Sequence, residues 1–239
     1  MSVTDWIRLH SDKTKPWLIL GKGPSFGRRG ELTLSDYNTL SLNHVALLQP
    51  GTLNHFTDLD AYLACASRLL EFNAIAVLPW FPHLDNKPGK RSLAELCEQV
   101  PSLCILQGRN RLLTYNSTLA KKKKESLAII RVRLFSAVAA LNILVSAGVR
   151  TVFSLGIDGG SSYAEDFDKA TLLLNGRSSF DAQFAEMQKT IAKHKIKYSP
   201  LYAVRRHGSD QNLAGDRTED YHRVPGVGVQ HSKEDEEQG

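Results

Sequence analysis

The sequence GKGPS at positions 21–25 follows an apolar run, LIL at 18–20, and joins small residues to a cation. Glycines at the end of a buried strand let a phosphate approach backbone N–H groups closely. The turn is not a P-loop, because no Gly-Lys-Ser/Thr follows at the required spacing, and Pro24 stands where a dinucleotide-binding helix would begin. Anion binding and an ordinary strand-ending turn are therefore both open interpretations.

Two later motifs place polar side chains at the ends of apolar runs: SLNH at 41–44 and SLGIDGGSSYAEDFD at 154–168. Asp158 lies between glycines, where it either caps a turn or meets a ligand. Tyr163 is either a packed aromatic or a hydroxyl donor. If these ends converge, they form a binding site of hydroxyl, carboxylate and amide groups.

The elements that position these motifs alternate between short aliphatic runs and longer amphipathic or apolar stretches. Helices are predicted between the strands, with capping boxes at Thr57-x-x-Asp60 and Ser92-x-x-Glu95 and an apolar helix over 134–147. Alternation of this kind predicts an α/β fold: a Rossmann-like, open, mostly parallel sheet with helices on both faces and ligands at the carboxyl ends of its strands. The predicted strands are 17–21, 39–48, 74–80, 103–107, 151–156 and 196–202.

The length of 239 residues predicts a single domain over residues 1–204. Residues 205–239 are polar and lack periodicity, which predicts a loop or tail with a disordered end. No apolar run has the length of a membrane span, and the N-terminus has no apolar core of a secretory signal, so a cytoplasmic location is expected. Three cysteines without metal-ligand spacing predict no metal site.

The formal net charge is +5, but residues 233–237 hold one lysine and four acidic residues, so the rest of the chain carries +8. This excess favours anionic partners such as nucleotides, acidic lipid surfaces or nucleic acid. The densest cluster is KKKK at 121–124, which is either a solvated face or an anion-binding patch.

In their order and content, GKGPS, SLNH and residues 133–158, RLFSAVAALNILVSAGVRTVFSLGID, resemble the bacterial sialyltransferases of glycosyltransferase family 42. The wider group includes flagellin-glycosylation accessory proteins and archaeal-type hydroxymethylpterin pyrophosphokinases. The resemblance covers residues 18–48 and 133–202. It implies a GT-A-like nucleotide-binding domain, a nucleotide-sugar donor linked through CMP or a related nucleotide, a glycan or other hydroxyl acceptor, and no metal cofactor.

The resemblance also implies roles for individual residues. Tyr163 would donate its hydroxyl to the departing phosphate, and Arg133 would lie along the donor as the second catalytic residue. A fixed hydroxyl donor stabilises negative charge as it develops on the phosphate. The residues that would bind the donor are Gly21, Lys22, Gly23, Ser25, Asn43, Ser136, Gly156 and Asp158.

The chain departs from the family at two important positions. Lys22 replaces the family's asparagine in the first turn, and residues 175–178, NGRS, hold no histidine where the family carries its general base. A base must reach the acceptor hydroxyl. His44, His207 and Asp166 are the candidates for this role.

Two other functions stay open. A pyrophosphokinase-like enzyme would hold Mg²⁺ and ATP through acidic residues of the third motif, Asp158, Glu165, Asp166 and Asp168. A nucleotide- or glycan-binding module would have kept the fold and lost the base. Metal dependence separates the first from a glycosyltransferase, and binding without turnover would indicate the second.

Overall fold

The computed structural model describes residues 1–85, 87–132, 135–167, 179–204 and 221–223. Two 3₁₀ segments, Pro24–Glu31 and Leu34–Asp36, connect the first two strands. The helices are α1 (Val3–His10), α2 (Val45–Leu48), α3 (Leu59–Glu71), α4 (Leu93–Cys97), α5 (Pro101–Gly108), α6 (Ser136–Ser146) and α7 (Ala182–His194). The strands are β1 (Trp17–Leu20), β2 (Asn38–Leu42), β3 (Leu53–His55), β4 (Ala76–Pro79), β5 (His83–Leu84), β6 (Lys87–Pro88), β7 (Leu112–Ser117), β8 (Ile129–Ile130), β9 (Thr151–Leu155), β10 (Lys197–Pro200), β11 (Tyr202–Val204) and β12 (Tyr221–Arg223).

The main sheet has eight strands in the order β10-β9-β1-β2-β3-β4-β7-β8, and its described pairs are parallel. From β1 the chain builds outward on one side as far as β8. It then returns to the other side of β1 to add β9 and β10. The strand order therefore reverses between β1 and β9, and a crevice at the carboxyl ends of the strands is expected at that point.

Helices cover both faces of this sheet, because its strands are buried on both sides. Ile19 and Val77 point to the face packed by α1, α6 and α7. Their neighbour Leu78 points to the opposite face, packed by α3, α4 and α5. The predicted α/β class, with a mostly parallel open sheet and helices on both faces, is confirmed.

Two of the predicted strands are wrong in part or in whole. Residues 103–107 lie in helix α5, which starts with Pro101 at its first turn and buries Leu103 and Leu106, three positions apart, on one face. The strand predicted over 39–48 ends at Leu42, because Asn43 has a φ of 49° and turns the chain into α2.

One of the two predicted capping boxes and the predicted apolar helix are confirmed. Ser92 and Glu95 form the predicted capping box at the start of α4, and α6 is buried almost all round. The box predicted from Thr57 is wrong, because Asp58 is the N-cap residue of α3 and makes no side-chain cap hydrogen bond.

Most of the predicted tail, residues 205–239, lies outside the described residues. Its described part, Tyr221–Arg223, forms strand β12, which pairs antiparallel with β11. The boundary at residue 204 and the single-domain organisation stay predictions. Among the described residues, each helix is too short or too polar to cross a bilayer.

A buried histidine beneath the carboxyl edge makes stability depend on pH. His55 is fully buried, and its Nε2 lies 2.9 Å from the Tyr115 hydroxyl. Burial, with a smaller effect of His83, lowers the pKa of His55 to about 3. Below the ordinary histidine pKa of about 6.5 the unfolded chain binds a proton that the folded chain does not, so folding becomes less favourable as pH falls.

We expect His55→Gln to remove the contribution of His55 to this pH dependence, while the contribution of His83, whose pKa burial lowers to about 4, stays; glutamine retains a polar partner for Tyr115. Between pH 6.5 and 5, the free energy of unfolding of the wild type should fall by about 2 kcal/mol more than that of the variant, measured by urea unfolding. Asp58 acts in the opposite direction, because burial raises its pKa, so the difference between the two proteins is the quantity to compare. Equal pH slopes would contradict the assignment to His55.

Candidate active site

A glycine seam joins the ends of β1 and β9. The Gly21 N–H donates to the Leu155 carbonyl at 2.8 Å, and the Gly23 N–H donates to the Gly156 carbonyl at 2.8 Å. A Cβ on Gly21 or on Gly156 would collide with the carbonyl oxygen of the other glycine, and Gly156 has a φ of 74°. The glycines thus serve the close approach of two backbones.

This seam corrects one expectation from the sequence. The N–H groups of Gly21 and Gly23 are directed into the protein and are not bare donors for a phosphate. Gly21, Gly23 and Gly156 still line the cleft beside them, so a contact with a donor nucleotide stays a prediction.

Hydrogen bonds between Asp158 and Ser25 connect the turns that follow β1 and β9. The Ser25 N–H donates to Asp158 Oδ2 at 2.7 Å, and the Ser25 hydroxyl donates to Asp158 Oδ1 at 2.6 Å. The same hydroxyl oxygen accepts the Gly156 N–H at 2.8 Å. Since Ser25 is only 1% exposed, its hydroxyl holds Asp158 in place, and a direct contact with ligand stays a prediction.

The cleft itself has a volume of about 500 Å³ and lies where the strand order reverses. Seven of the predicted site residues line it, brought together from the ends of β1, β2 and β9 and the start of α6. They are Gly21, Lys22, Gly23, Asn43, Ser136, Gly156 and Asp158, and the predicted catalytic Tyr163 lines it as well.

Lys22 and Tyr163 form the cationic wall of the cleft. The Lys22 ammonium lies 4.0 Å from the centre of the Tyr163 ring, and Phe180 stacks on that ring at 5.5 Å. The ring is therefore held by a cation and an aromatic side chain. Burial lowers the pKa of Lys22 to about 8, so its charge is present at neutral pH and is lost in mildly alkaline solution.

Asn43 and His44 form the second wall, at the end of β2. Asn43 donates to the Ser136 hydroxyl at 3.0 Å, while its own Oδ1 is buried and has no partner in the described part of the chain. Nδ1 of His44 is also buried and unpartnered among the described residues. Buried polar atoms are normally hydrogen-bonded, so two neighbouring exceptions in a cleft suit a polar ligand.

The charge of Lys22 also reaches His44. Burial, followed by the nearby Lys22 ammonium, lowers the pKa of the His44 imidazole below its ordinary value. At neutral pH the cleft therefore holds a neutral imidazole beside a cation.

The far end of the cleft is acidic and was missed in the sequence. Asp58 and Asp60 lie at the start of α3, and Asp85 lies in the turn between β5 and β6. Burial raises the pKa of Asp58, and Asp60 adds to this effect. The preceding strand, β3, has only three residues, Leu53–His55, so no sequence pattern indicates a strand end there.

The remaining residues that the sequence suggests as bases, metal ligands or catalytic groups number five, and two of them lie in the described part of the chain. Asp166 pairs with Arg29 at 2.6 Å, and Glu165 is exposed. His207 and Asp168 lie outside the described residues, as does the catalytic candidate Arg133, whose role stays a prediction. Within the described ranges, no group of three or more His, Cys, Asp or Glu residues is arranged to hold a metal ion.

Solved structures of sialyltransferases resemble this chain at low sequence identity. One is the sialyltransferase CstII from Campylobacter jejuni in complex with a substrate analogue, cytidine-5′-monophosphate, with 15% identity over 80% of this chain and 81% of that one and a TM-score of 0.45. A second, CST-II with trisaccharide acceptor and CMP, has 14% identity over 78% and 81% and a TM-score of 0.43. The third, the apo α-2,3-sialyltransferase from Campylobacter jejuni, has 14% identity over 80% and 77% and a TM-score of 0.43.

The sequence motifs indicate a resemblance to bacterial sialyltransferases, and the proteins in these three structures are sialyltransferases. No family model and no curated protein matches the chain.

Proposed function

We propose that this protein is a glycosyltransferase that uses a nucleotide-activated sugar. The observation that carries the proposal is the composition of the cleft: a cation beside a held tyrosine on one wall, and a neutral imidazole beside an asparagine with an unpartnered oxygen on the other. Both walls suit the transfer of a sugar from a nucleotide. One stabilises the departing phosphate, and the other receives the acceptor hydroxyl.

The first step assigns the phosphate to Lys22 and Tyr163. As the bond between the anomeric carbon and the phosphate oxygen breaks, its electron pair moves to that oxygen and negative charge develops there. The Lys22 ammonium attracts this charge, and the Tyr163 hydroxyl donates a hydrogen bond that strengthens with it. These groups act without a metal ion, in keeping with the predicted lack of a metal cofactor.

The second step assigns the general base to His44. The acceptor oxygen attacks the anomeric carbon, and its proton must leave to a nearby base. His44 lines the cleft, is neutral at pH 7, and its buried Nδ1 has no hydrogen-bond partner among the described residues, so none of these residues competes for a proton at that atom. Of the two candidate bases that lie in the described residues, His44 and Asp166, His44 lines the cleft, whereas Asp166 pairs with Arg29.

The phosphotransferase alternative receives less support. Two of its four possible Mg²⁺ ligands have other partners: both oxygens of Asp158 accept hydrogen bonds from Ser25, and Asp166 pairs with Arg29. Cytidine monophosphate is proposed as the donor nucleotide from the resemblance of the sequence motifs.

The proposed function is tested by thermal shift with CMP, UMP, AMP, GDP and ATP, with and without Mg²⁺, followed by a transfer assay with CMP-linked sugars in chelator. A ligand that binds only the folded state raises its melting temperature. We expect CMP to stabilise the protein without Mg²⁺ and transfer to proceed in chelator. Stabilisation by ATP only with Mg²⁺ would favour the phosphotransferase, and nucleotide binding without turnover would favour a non-catalytic module.

Lys22→Met should weaken CMP binding. It should also abolish the loss of CMP affinity that we expect for the wild type in alkaline solution. The loss of a charge-assisted contact costs about 1–3 kcal/mol. Because Lys22 loses its proton near pH 8, the wild-type Kd should rise about tenfold between pH 7 and 9.5, whereas that of the variant should stay flat. Titration calorimetry measures both, and Lys193→Met, on the exposed side of α7, is the matched control. A pH-independent wild-type Kd would remove Lys22 from the phosphate site.

A further inference from the structure

A basic surface lies beside the cleft on two segments that no step of the proposed reaction uses. It consists of Lys87, Lys90 and Arg91 together with the run 121–124, and we name it the basic rim. These seven side chains belong to exposed residues. They lie on the segments after β4 and β7, which are neighbouring parallel strands, so both segments leave the sheet at its carboxyl edge. Asp85, in the first segment, lines the cleft.

The lysine run is held in a fixed shape. The buried Asn116 amide donates to the carbonyls of Lys124, at 2.7 Å, and Leu127, at 3.0 Å, and its Oδ1 accepts the Lys124 N–H at 2.9 Å. The Lys124 ammonium lies 4.3 Å from the centre of the Trp80 ring, which ties the run to the segment after β4. The basic rim is therefore one preformed surface built from two segments.

Charge on this surface has one dominant sign. Residues 80–92 and 118–128 hold seven basic side chains against two acidic ones, Asp85 and Glu125. Glu95 of α4 adds one more carboxylate, whose pKa is lowered by hydrogen bonds from Ser92 and less strongly by the charges of Lys122 and Arg91. Within these two segments, with Glu95 included, seven positive charges face three negative ones.

Exposed aliphatic side chains lie among these cations. Leu84 is 46% exposed beside Lys87, its strand partner, and Leu119 is 49% exposed two residues before the lysine run. Lysines interspersed with exposed leucines suit a bilayer, where the cations meet anionic headgroups and the leucines reach the acyl boundary. Single-stranded nucleic acid is instead bound by stacking on aromatic rings, and the partly buried Trp80 ring is covered by Lys124.

We propose that the basic rim docks this protein on the surface of an anionic lipid bilayer. Clusters of four to eight Lys or Arg residues bind such surfaces through attraction that falls off within a Debye length. The rim and the cleft share the carboxyl edge of the sheet, so a docked protein would hold the cleft close to the headgroups. This docking does not depend on the proposed reaction.

The test is co-sedimentation with vesicles of phosphatidylcholine alone or with about 30% phosphatidylglycerol. We expect the full chain to bind only the anionic vesicles, and to bind them at least tenfold more weakly when salt rises from about 0.05 to 0.3 M. Leu119→Ser should weaken this binding several-fold without changing its salt dependence, because it removes apolar contact and no charge.

Charge reversal tests whether the basic rim is the part of the protein that contacts the vesicles. Lys121→Glu combined with Lys122→Glu should reduce binding to anionic vesicles at least tenfold. Lys193→Glu with Lys195→Glu makes the same change in net charge at the end of α7, which precedes β10 and so lies at the amino edge of the sheet; binding should be retained. Melting temperatures report whether each variant is folded, and Lys121→Gln with Lys122→Gln replaces the first pair if it is not.

Two results would overturn the proposal. Equal vesicle binding by the wild type and a folded rim variant would remove the basic rim as the contact. Tighter binding to single-stranded RNA than to anionic vesicles, lost in the same rim variant, would assign the surface to nucleic acid.

Discussion

His44→Gln is expected to lower the rate of sugar transfer by about 10³-fold while CMP still binds. Positioned bases contribute about 10²–10⁴-fold, and glutamine keeps polarity and approximate size but takes no proton at neutral pH. His44 lies at the end of β2 in the cleft wall, where burial and the Lys22 charge keep its imidazole neutral. The measurement is single-turnover transfer of a sugar from its CMP-linked donor, with CMP affinity determined in parallel.

The pH profile separates a base from a residue that only shapes the cleft. In the wild type, kcat/KM should rise with pH as the imidazole loses its proton, with the midpoint below the ordinary histidine pKa of about 6.5, and this limb should vanish in the variant. Added imidazole should partly restore the rate of His44→Ala. His194→Gln, on the exposed end of α7, is the matched control.

Each failure has its own meaning. If the wild type transfers no sugar from any donor, the proposed glycosyltransferase is wrong. If the wild type transfers sugar and His44→Gln does so at the same rate, the function stands and the base lies elsewhere.

Tyr163→Phe is expected to lower the rate of donor cleavage by about 10²-fold, with donor affinity and melting temperature nearly unchanged. The hydroxyl matters most when charge develops on the phosphate, so its loss affects the transition state more than binding. The ring itself should keep its place, because Lys22 and Phe180 contact its face in the variant as they do in the wild type.

Tyr198→Phe provides the comparison. Its hydroxyl lies 2.7 Å from that of Ser154, and Tyr198 is not one of the residues that line the cleft, so this variant should lose some stability and no activity. A wild-type rate in Tyr163→Phe would assign Tyr163 to packing alone.

The sequence predicted the fold class well, because alternating apolar runs and amphipathic stretches reflect burial on both sides of a parallel sheet. It failed where an apolar stretch is ambiguous. Residues 103–107 are as hydrophobic as a buried strand. They form a helix that starts at Pro101 and is buried against α3, and this contact with another helix is not visible in a local pattern. Strand β3 was missed because three residues, two of them polar, show no alternation.

The site was predicted from motifs that follow single strands, and the cleft brings most of them together. The sequence did not reveal which of these residues are available to a ligand and which hold another site residue in place. Ser25 resembles a ligand-binding serine, yet its hydroxyl is directed at Asp158, which is 133 residues away along the chain. His44 is one of three candidate bases, and its place in the cleft lining beside Lys22 distinguishes it from Asp166, which pairs with Arg29.

The position of β9 between β1 and β10 also has a consequence for synthesis. Until β9 leaves the ribosome, β1 has no neighbour on one side, and its apolar sequence WLIL is an open strand edge. Roughly 130 residues separate the two strands, and at about 5–20 residues per second this edge stays open for on the order of ten seconds. The nascent chain should therefore depend on chaperones until β9 has been made, and it should be most prone to aggregation when translation pauses before residue 151.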